Sequence, residues 1–396
     1  MAFAKAQNLD VSKGTFNDIQ GSQNIYYINN FFTDPQWDDS RSHKEGDRLK
    51  TPDPYSRDSL CEEPESSPQS ASDNKRNRPR AFRKEYQRPS LSFRWYREVP
   101  TVIRCLAFSP DGQIVAAGTR DGSIVTWAIP EGRKDLIPQK VHRDSIRAIA
   151  FYPDGSRLVT GSRDTTLSIL CAVSGSVLFG PLRGHSQCIT SIAVSPDGNY
   201  IFSGDKGGDL RCWCARTGFV LPFRHRSSSP INSIAFSNDS KWLVCGAARL
   251  LFFEYQAGAW HFADYPKESF RDAKVVSSVA VTPDNRVVIC AAGTRVQMWH
   301  AEKGKQVARE FEMASKVHSI AASPDGRHFV SGSAYGDLTV CDMRERKRVA
   351  TTRIINASIM TTPSNIDCYA VAFSPDGRFI VGGGAWGLNL YSCRLD

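Results

Sequence analysis

Two cysteines one residue apart, Cys212 and Cys214, are the first residues whose type and spacing invite chemistry. A zinc half-site places two or more residues between its paired thiols, and no second pair stands at finger spacing, so alternation along a strand accounts for them better than a metal does. Gly204-Asp205-Lys206-Gly207-Gly208 shares only its glycine content with phosphate-binding loops, and it falls where a strand-to-strand turn needs glycine. The chain has no GxxxxGK[ST] loop, no GxGxxG following a strand and opening a helix, no HExxH and no GxSxG elbow. Its other aspartates and histidines recur at a regular interval, which points to structural roles. No acid, base or nucleophile can be named from spacing, so the reading is non-enzymatic, with no catalytic residue, metal or cofactor assigned.

What remains for chemistry is charge. Arg120, Arg163 and Lys206 stand 43 residues apart in succession, each beside a glycine-containing turn. Three long cations at equivalent places would form a basic arc able to take an acidic or phosphorylated peptide through charge-assisted hydrogen bonds. Tyr335 and Trp386 are candidate aromatic anchors from the other side of that face. The plain alternative is that the cations are ordinary solubilising side chains. Equivalence of the three positions depends on a repeat.

A four-residue turn recurs seven times after an apolar run, at Ser109-Pro110-Asp111-Gly112, Tyr152-Pro153-Asp154-Gly155, Ser195-Pro196-Asp197-Gly198, Ser237-Asn238-Asp239-Ser240, Thr282-Pro283-Asp284-Asn285, Ser323-Pro324-Asp325-Gly326 and Ser374-Pro375-Asp376-Gly377. The aspartates are 43, 43, 42, 45, 41 and 51 residues apart, in or near the range of four-stranded propeller blades. Proline fixes its own φ, the aspartate side chain bonds nearby backbone, and glycine takes a positive φ at no steric cost. Strands flank each turn: Ile103 to Phe108, Ile146 to Phe151, Ile189 to Val194, Ile231 to Phe236 and Val275 to Val281 lead in, and runs such as Ile114 to Ala117 follow. A third strand ends at Trp127, Leu170, Trp213, Tyr255, Trp299, Cys341 and Tyr391, with nearly the same spacing.

This pattern resembles the WD40 family, whose repeat closes on a Trp-Asp-like pair after a Gly-Ser-x-Asp turn. The resemblance covers roughly residues 91–396 and implies an all-β, seven-bladed propeller. Gly118-Thr119-Arg120-Asp121 and Gly161-Ser162-Arg163-Asp164 match its turn most closely, and Gly184-His185 keeps its Gly-His pair. His142 and His225 lie near the matching place in other repeats. Gly207 stands where the third turn should carry aspartate, so no repeat is expected to retain the family's full His, Ser, Asp and Trp hydrogen-bonded network. The last repeat lacks sequence for a fourth strand, and residues 91–98 are expected to supply it. The long interval before the last turn places an insertion in residues 344–368, a loop at the junction of blades six and seven and a candidate recognition feature.

The 396 residues carry 41% hydrophobic and 23% charged side chains, and the longest apolar runs fall well short of the roughly 20 residues that a membrane helix needs. No secretory leader is evident at the N-terminus, and the eleven cysteines are odd in number and mostly embedded in apolar runs. Intracellular residence, cytoplasmic or nuclear, is therefore expected. Residues 1–90 read as a mainly disordered arm. Within it, residues 34–65 hold ten acidic and five basic side chains and residues 75–97 hold nine basic and one acidic. The basic run from 75 to 88, with Lys75, Arg76, Arg78, Arg80, Arg83 and Lys84, is a candidate import signal, a phosphate-contacting arm or a solvated linker. A net charge of +9 lies far below the density of a dedicated nucleic-acid binder. Residues 15–30 mix Asn, Gln and Gly with Ile, Tyr and Phe at low charge, the makings of a strand that pairs within the chain or between chains. They also resemble a short motif that precedes domains in fungal immune-receptor-like proteins. The functional expectation is a protein-protein interaction scaffold that partners other proteins, with a nuclear or chromatin-associated module and an assembly protein using residues 15–30 as alternatives.

Overall fold

The computed structural model describes residues 28–29, 90–263, 275–307, 309–354, 367–385 and 387–395. Seven antiparallel sheets form the blades of a propeller. Blade one shows the plan: Ile103–Phe108 lies innermost, Ile114–Thr119 and Ser123–Ala128 follow, and Lys134–Lys140 is outermost. Neighbouring innermost strands approach one another around the ring, and Cys368–Phe373 of blade seven lies beside Ile103–Phe108 of blade one. Among the described residues no helix is long and apolar enough to cross a membrane.

Each recurring turn links the two inner strands of a blade. At Ser109 the hydroxyl donates to Asp111 Oδ1 at 2.5 Å and accepts from the Ile114 amide at 2.9 Å, while Asp111 caps the Gln113 amide at 3.0 Å. Thr282 and Ser374 repeat this arrangement on Asp284 and Asp376. The fourth and fifth turns lack glycine, and Ser240 and Asn285 take its positive φ of 59° and 61°. Both side chains also reach the preceding blade, Ser240 Oγ accepting from the Asp197 amide and Asn285 Oδ1 from the Asn238 amide. A bond between blades thus accompanies the strained backbone at each of these turns.

Blade seven takes its outer strand from the other end of the chain. Ser90–Glu98 pairs antiparallel with Gly387–Arg394 along its length. The same strand reaches blade one, where Trp95 Nε1 donates to the Pro130 carbonyl at 2.5 Å and Arg97 Nε to the Gly132 carbonyl at 2.7 Å. Two places differ from the sequence expectation. In blade four the position opposite Leu243, equivalent to Trp213 opposite Ile201, is filled by buried Phe253, while Tyr255 is exposed. The extra residues of 344–368 do not form one loop: Lys347–Arg353 is the outer strand of blade six, and the remainder falls largely in 355–366, outside the described residues.

Packing between blades relies on absent side chains. Near the end of the second strand of blade three, a Cβ on Gly204 would lie 2.3 Å from Ile231 Cγ2 of the next blade. Gly118 against Ile146 and Gly161 against Ile189 repeat the contact at 2.5 Å. Their φ angles do not need glycine; the space does. Gly204→Ala should therefore cost about 1–3 kcal/mol through overpacking. Adding Ile231→Ala, which removes the Cγ2 that a Cβ would meet, should recover part of that loss, which a double-mutant cycle in urea would register as non-additivity; strictly additive effects would mean the two sites do not press on each other.

Candidate functional site

The turn between the second and third strands of each blade opens on the rim opposite the recurring Pro-Asp turns. There the backbone amides of Arg120, Arg163 and Lys206 make the same bond, to the carbonyls of Val102, Ser145 and Cys188 at 2.9, 2.8 and 2.9 Å. All three side chains are exposed. They therefore occupy one structural position on three consecutive blades. Arg163 Nε lies 3.7 Å from Asp144 Oδ2, a loose and solvent-exposed pair. Burial pushes the Cys188 thiol up despite the fields of Arg147, Arg163 and Lys206.

Arg147 was not legible as a site residue because it sits inside the apolar run Ile146 to Phe151. So does Arg104 within Ile103 to Phe108. A local register shift in each innermost strand, between Ile103 and Cys105 and between Ile146 and Ala148, sets these arginines at the bulge. The corresponding places on other blades hold Thr190, Asn232, Ser277, His318 and Tyr369. Thr190 donates to the Ile231 carbonyl, Asn232 Nδ2 to the Val276 carbonyl at 2.8 Å, and Ser277 Oγ to the Val317 carbonyl at 2.9 Å. Short polar side chains thus stitch blade to blade from three to five, whereas blades six, seven, one and two carry longer ones. The Arg104 guanidinium lies 4.8 Å from the centre of the Tyr369 ring, and His318 stands 6.0 Å from that ring. Burial, helped by Lys316, lowers the His318 pKa to about 3.

Tyr335 is on the same rim. The Ala334 amide bonds to the Lys316 carbonyl at 2.8 Å, as the three cationic positions do on their blades, and Tyr335 follows with a φ of 67° and 66% of its surface exposed. It belongs to blade six, so the ring places it two blades from Arg120 and across the channel from Lys206. Trp386 and the basic run Lys75, Arg76, Arg78, Arg80, Arg83 and Lys84 lie outside the described residues. A depression on blade two, lined by Arg143, Arg183, Asp164 and Thr166, adds two exposed arginines to the basic rim.

The loops under this rim are braced by hydrogen-bonded networks, and here the sequence expectation needs correction. Blade three does keep a full set of four. Trp213 Nε1 donates to Ser203 Oγ at 2.8 Å, Ser203 lies 2.6 Å from His185 Nε2, and His185 Nδ1 lies 2.9 Å from Asp205 Oδ2. The carboxylate can only accept, so Nδ1 carries a proton, and a neutral ring then accepts the serine proton at Nε2. The aspartate stands two residues before Gly207, the place searched in the sequence, and still caps the Gly207 and Asp209 amides. Blade two has His142 between Asp164 at 3.1 Å and Thr160 at 2.9 Å, with Leu170 in the tryptophan position. His225 belongs to no such network: it lies on the outer strand Val220–Arg226 and stacks on Phe262 at 5.0 Å.

His185, Asp205 and Asp209 bring ligand-type atoms within 4.8 Å of one another, the one such grouping among the described residues. Each is engaged otherwise, Asp209 by Arg211 at 2.7 Å and Arg224 at 2.6 Å. Cys212 is buried and Cys214 partly exposed, on the strand Asp209–Cys214.

A family model described as "WD domain, G-beta repeat" matches residues 97–128, 136–169, 176–214, 219–249 and 306–342. No curated protein matches the chain. The matched stretches fall on blades one to four and six, and they include every network just described.

The carboxylate of blade two offers a direct test. Burial works to raise the Asp164 pKa, but bonds from His142, Thr166 and the Arg143 amide outweigh it and hold the carboxyl far below its ordinary value. An unfolded aspartate titrates near 3.9, so the unfolded chain binds more protons as pH falls below about 5, and the stability from Asp164 is present above that range and lost beneath it. Asp164→Asn should cost about 1–3 kcal/mol near pH 7 and flatten the acid limb of stability below about pH 5. Urea midpoints between pH 3 and 7 would show it, and an unchanged slope would remove Asp164 from the acid response.

Proposed function

The chain belongs to the WD40-repeat family and has its seven-bladed propeller, and from that premise we propose that it is a protein-interaction scaffold whose basic rim, Arg120, Arg163 and Lys206, receives an acidic or phosphorylated peptide. WD40 propellers generally serve as scaffolds for protein-protein interaction. The observation that carries the finer reading is the shared backbone position of three exposed cations on adjacent blades. Arginine offers two parallel donors to a carboxylate or phosphate, and lysine adds a point charge, so spaced acidic groups along an extended peptide would be matched. Tyr335, held at the tip of its turn with a positive φ, supplies an aromatic surface across the channel mouth.

Partner identity follows from chemistry only as far as charge. A panel of fluorescent peptides, each prepared unmodified, phosphorylated or with glutamate in place of serine, would measure it by polarisation. Phosphorylated or acidic members should bind more tightly than the unmodified ones, and Arg163→Ala with Lys206→Ala should weaken that binding by about tenfold or more. Arg378→Ala, beside the Pro-Asp turn of blade seven on the opposite rim, should leave it unchanged. Equal affinity for unmodified peptides, or equal loss in the control variant, would overturn the assignment.

A further inference from the structure

The inner edge of an innermost strand is the one sheet edge that a closed propeller leaves facing its own channel. Backbone N–H and C=O groups on that edge have no blade partner, which makes it a template for another strand. In this chain one such edge is paired. Ile28–Asn29 forms a short antiparallel strand beside Ile146–Phe151 of blade two, with Ile28 opposite Ile149 and Asn29 opposite Ala148. The same two residues lie close to the innermost strands of all seven blades, a position that only the central channel provides. Two residues of the candidate self-pairing stretch 15–30, Ile28 and Asn29, therefore lie inside the propeller.

We propose that the central channel is a strand-acceptor site and that its occupant is this chain's own N-terminal segment around Ile28–Asn29. Connectivity permits it: fifty-nine residues lie between Asn30 and Ser90, where the outer strand of blade seven begins. Extended chain spans up to about 3.3 Å per residue, so that length of sequence far exceeds the distance from a propeller's outer edge to its axis. Covalent attachment also favours the chain's own segment over a second copy, because it makes the pairing intramolecular. The occupied segment cannot pair with another chain at the same time. Self-association through residues 15–30 then requires withdrawal from the channel, and anything that takes its place there releases it.

The full-length protein tests this in two ways. Ile28→Pro removes a backbone donor and blocks strand pairing outside the blades. Hydrogen exchange should then quicken about tenfold or more at channel-facing amides of Ile146–Phe151, while amides of that strand bonded to Arg157–Ser162 keep their protection and report an intact fold. Unchanged exchange at the channel-facing amides would overturn the proposal. A benzophenone photo-crosslinker at position 28, in an equal mixture of light and nitrogen-15-labelled chains, identifies the occupant by mass. Crosslinks within one chain to innermost strands support the proposal. Crosslinks of mixed mass would make the occupant a second copy, and crosslinks away from the channel would place the segment elsewhere; either refutes it.

Discussion

The close approach of one blade to the next, made through a glycine, is the constraint on which the rest of the propeller depends. Gly118, Gly161, Gly204 and Gly246 each sit where a Cβ would collide with a branched side chain of the following blade. Gly383 makes the same approach to Ile103, across the junction where the ring closes. Each glycine lowers one sheet onto the aliphatic residue that leads into the next, and in blade five Ala291 takes the equivalent place. Channel and rim inherit their dimensions from this spacing. The cations of blades one to three share a face because the strands beneath them are locked at one distance and one register.

Polar bracing is distributed unevenly around that apolar frame. Blade three has a chain of four hydrogen-bonded groups from Trp213 to Asp205, whereas blade two holds its histidine between Thr160 and Asp164 with leucine in place of the indole. Among the described residues blades four and five show neither; Asn232 and Ser277 bond across to the following blade there, as Thr190 does from blade three. A cluster of rings joins blades three and four, in which Phe223 and His225 of the one and Phe253 and Phe262 of the other pack edge to face or stacked. A buried donor or acceptor left without a partner costs about 1–3 kcal/mol, yet blade two keeps its histidine, threonine and aspartate bonded to one another without the indole.

The repeat was legible because its strongest signal is local. A turn that needs proline, aspartate and a positive φ writes the same letters wherever it occurs, and seven of them mark out the blades. Residues fixed by contacts distant in the sequence were less visible. Asp205 was missed because the carboxylate need only reach His185, and it does so from a position two residues earlier than the usual one. Phe253 replaced Tyr255 because cross-strand register, not spacing along the chain, decides which ring is buried. Arg104 and Arg147 were hidden in apolar runs because a bulge turns one residue of a buried strand toward the channel mouth. Ile28–Asn29 carried a compositional hint of pairing, but nothing in its letters names blade two as the edge it joins.

The asymmetry of the rim is the feature most specific to this chain. From blade three to blade five the mouth of the channel is stitched by Thr190, Asn232 and Ser277, whose side chains are spent on bonds between blades. From blade six round to blade two the same places carry His318, Tyr369, Arg104 and Arg147, longer side chains of which the histidine and both arginines are buried. Arg120 and Arg163 stand above the second group, and Tyr335 rises beside its far end. A uniform ring of repeats would present seven equal blades and no direction. Substituting long side chains at one bulge position on four neighbouring blades gives this disc a distinct sector, and it does so without altering the glycine contacts that hold the blades together.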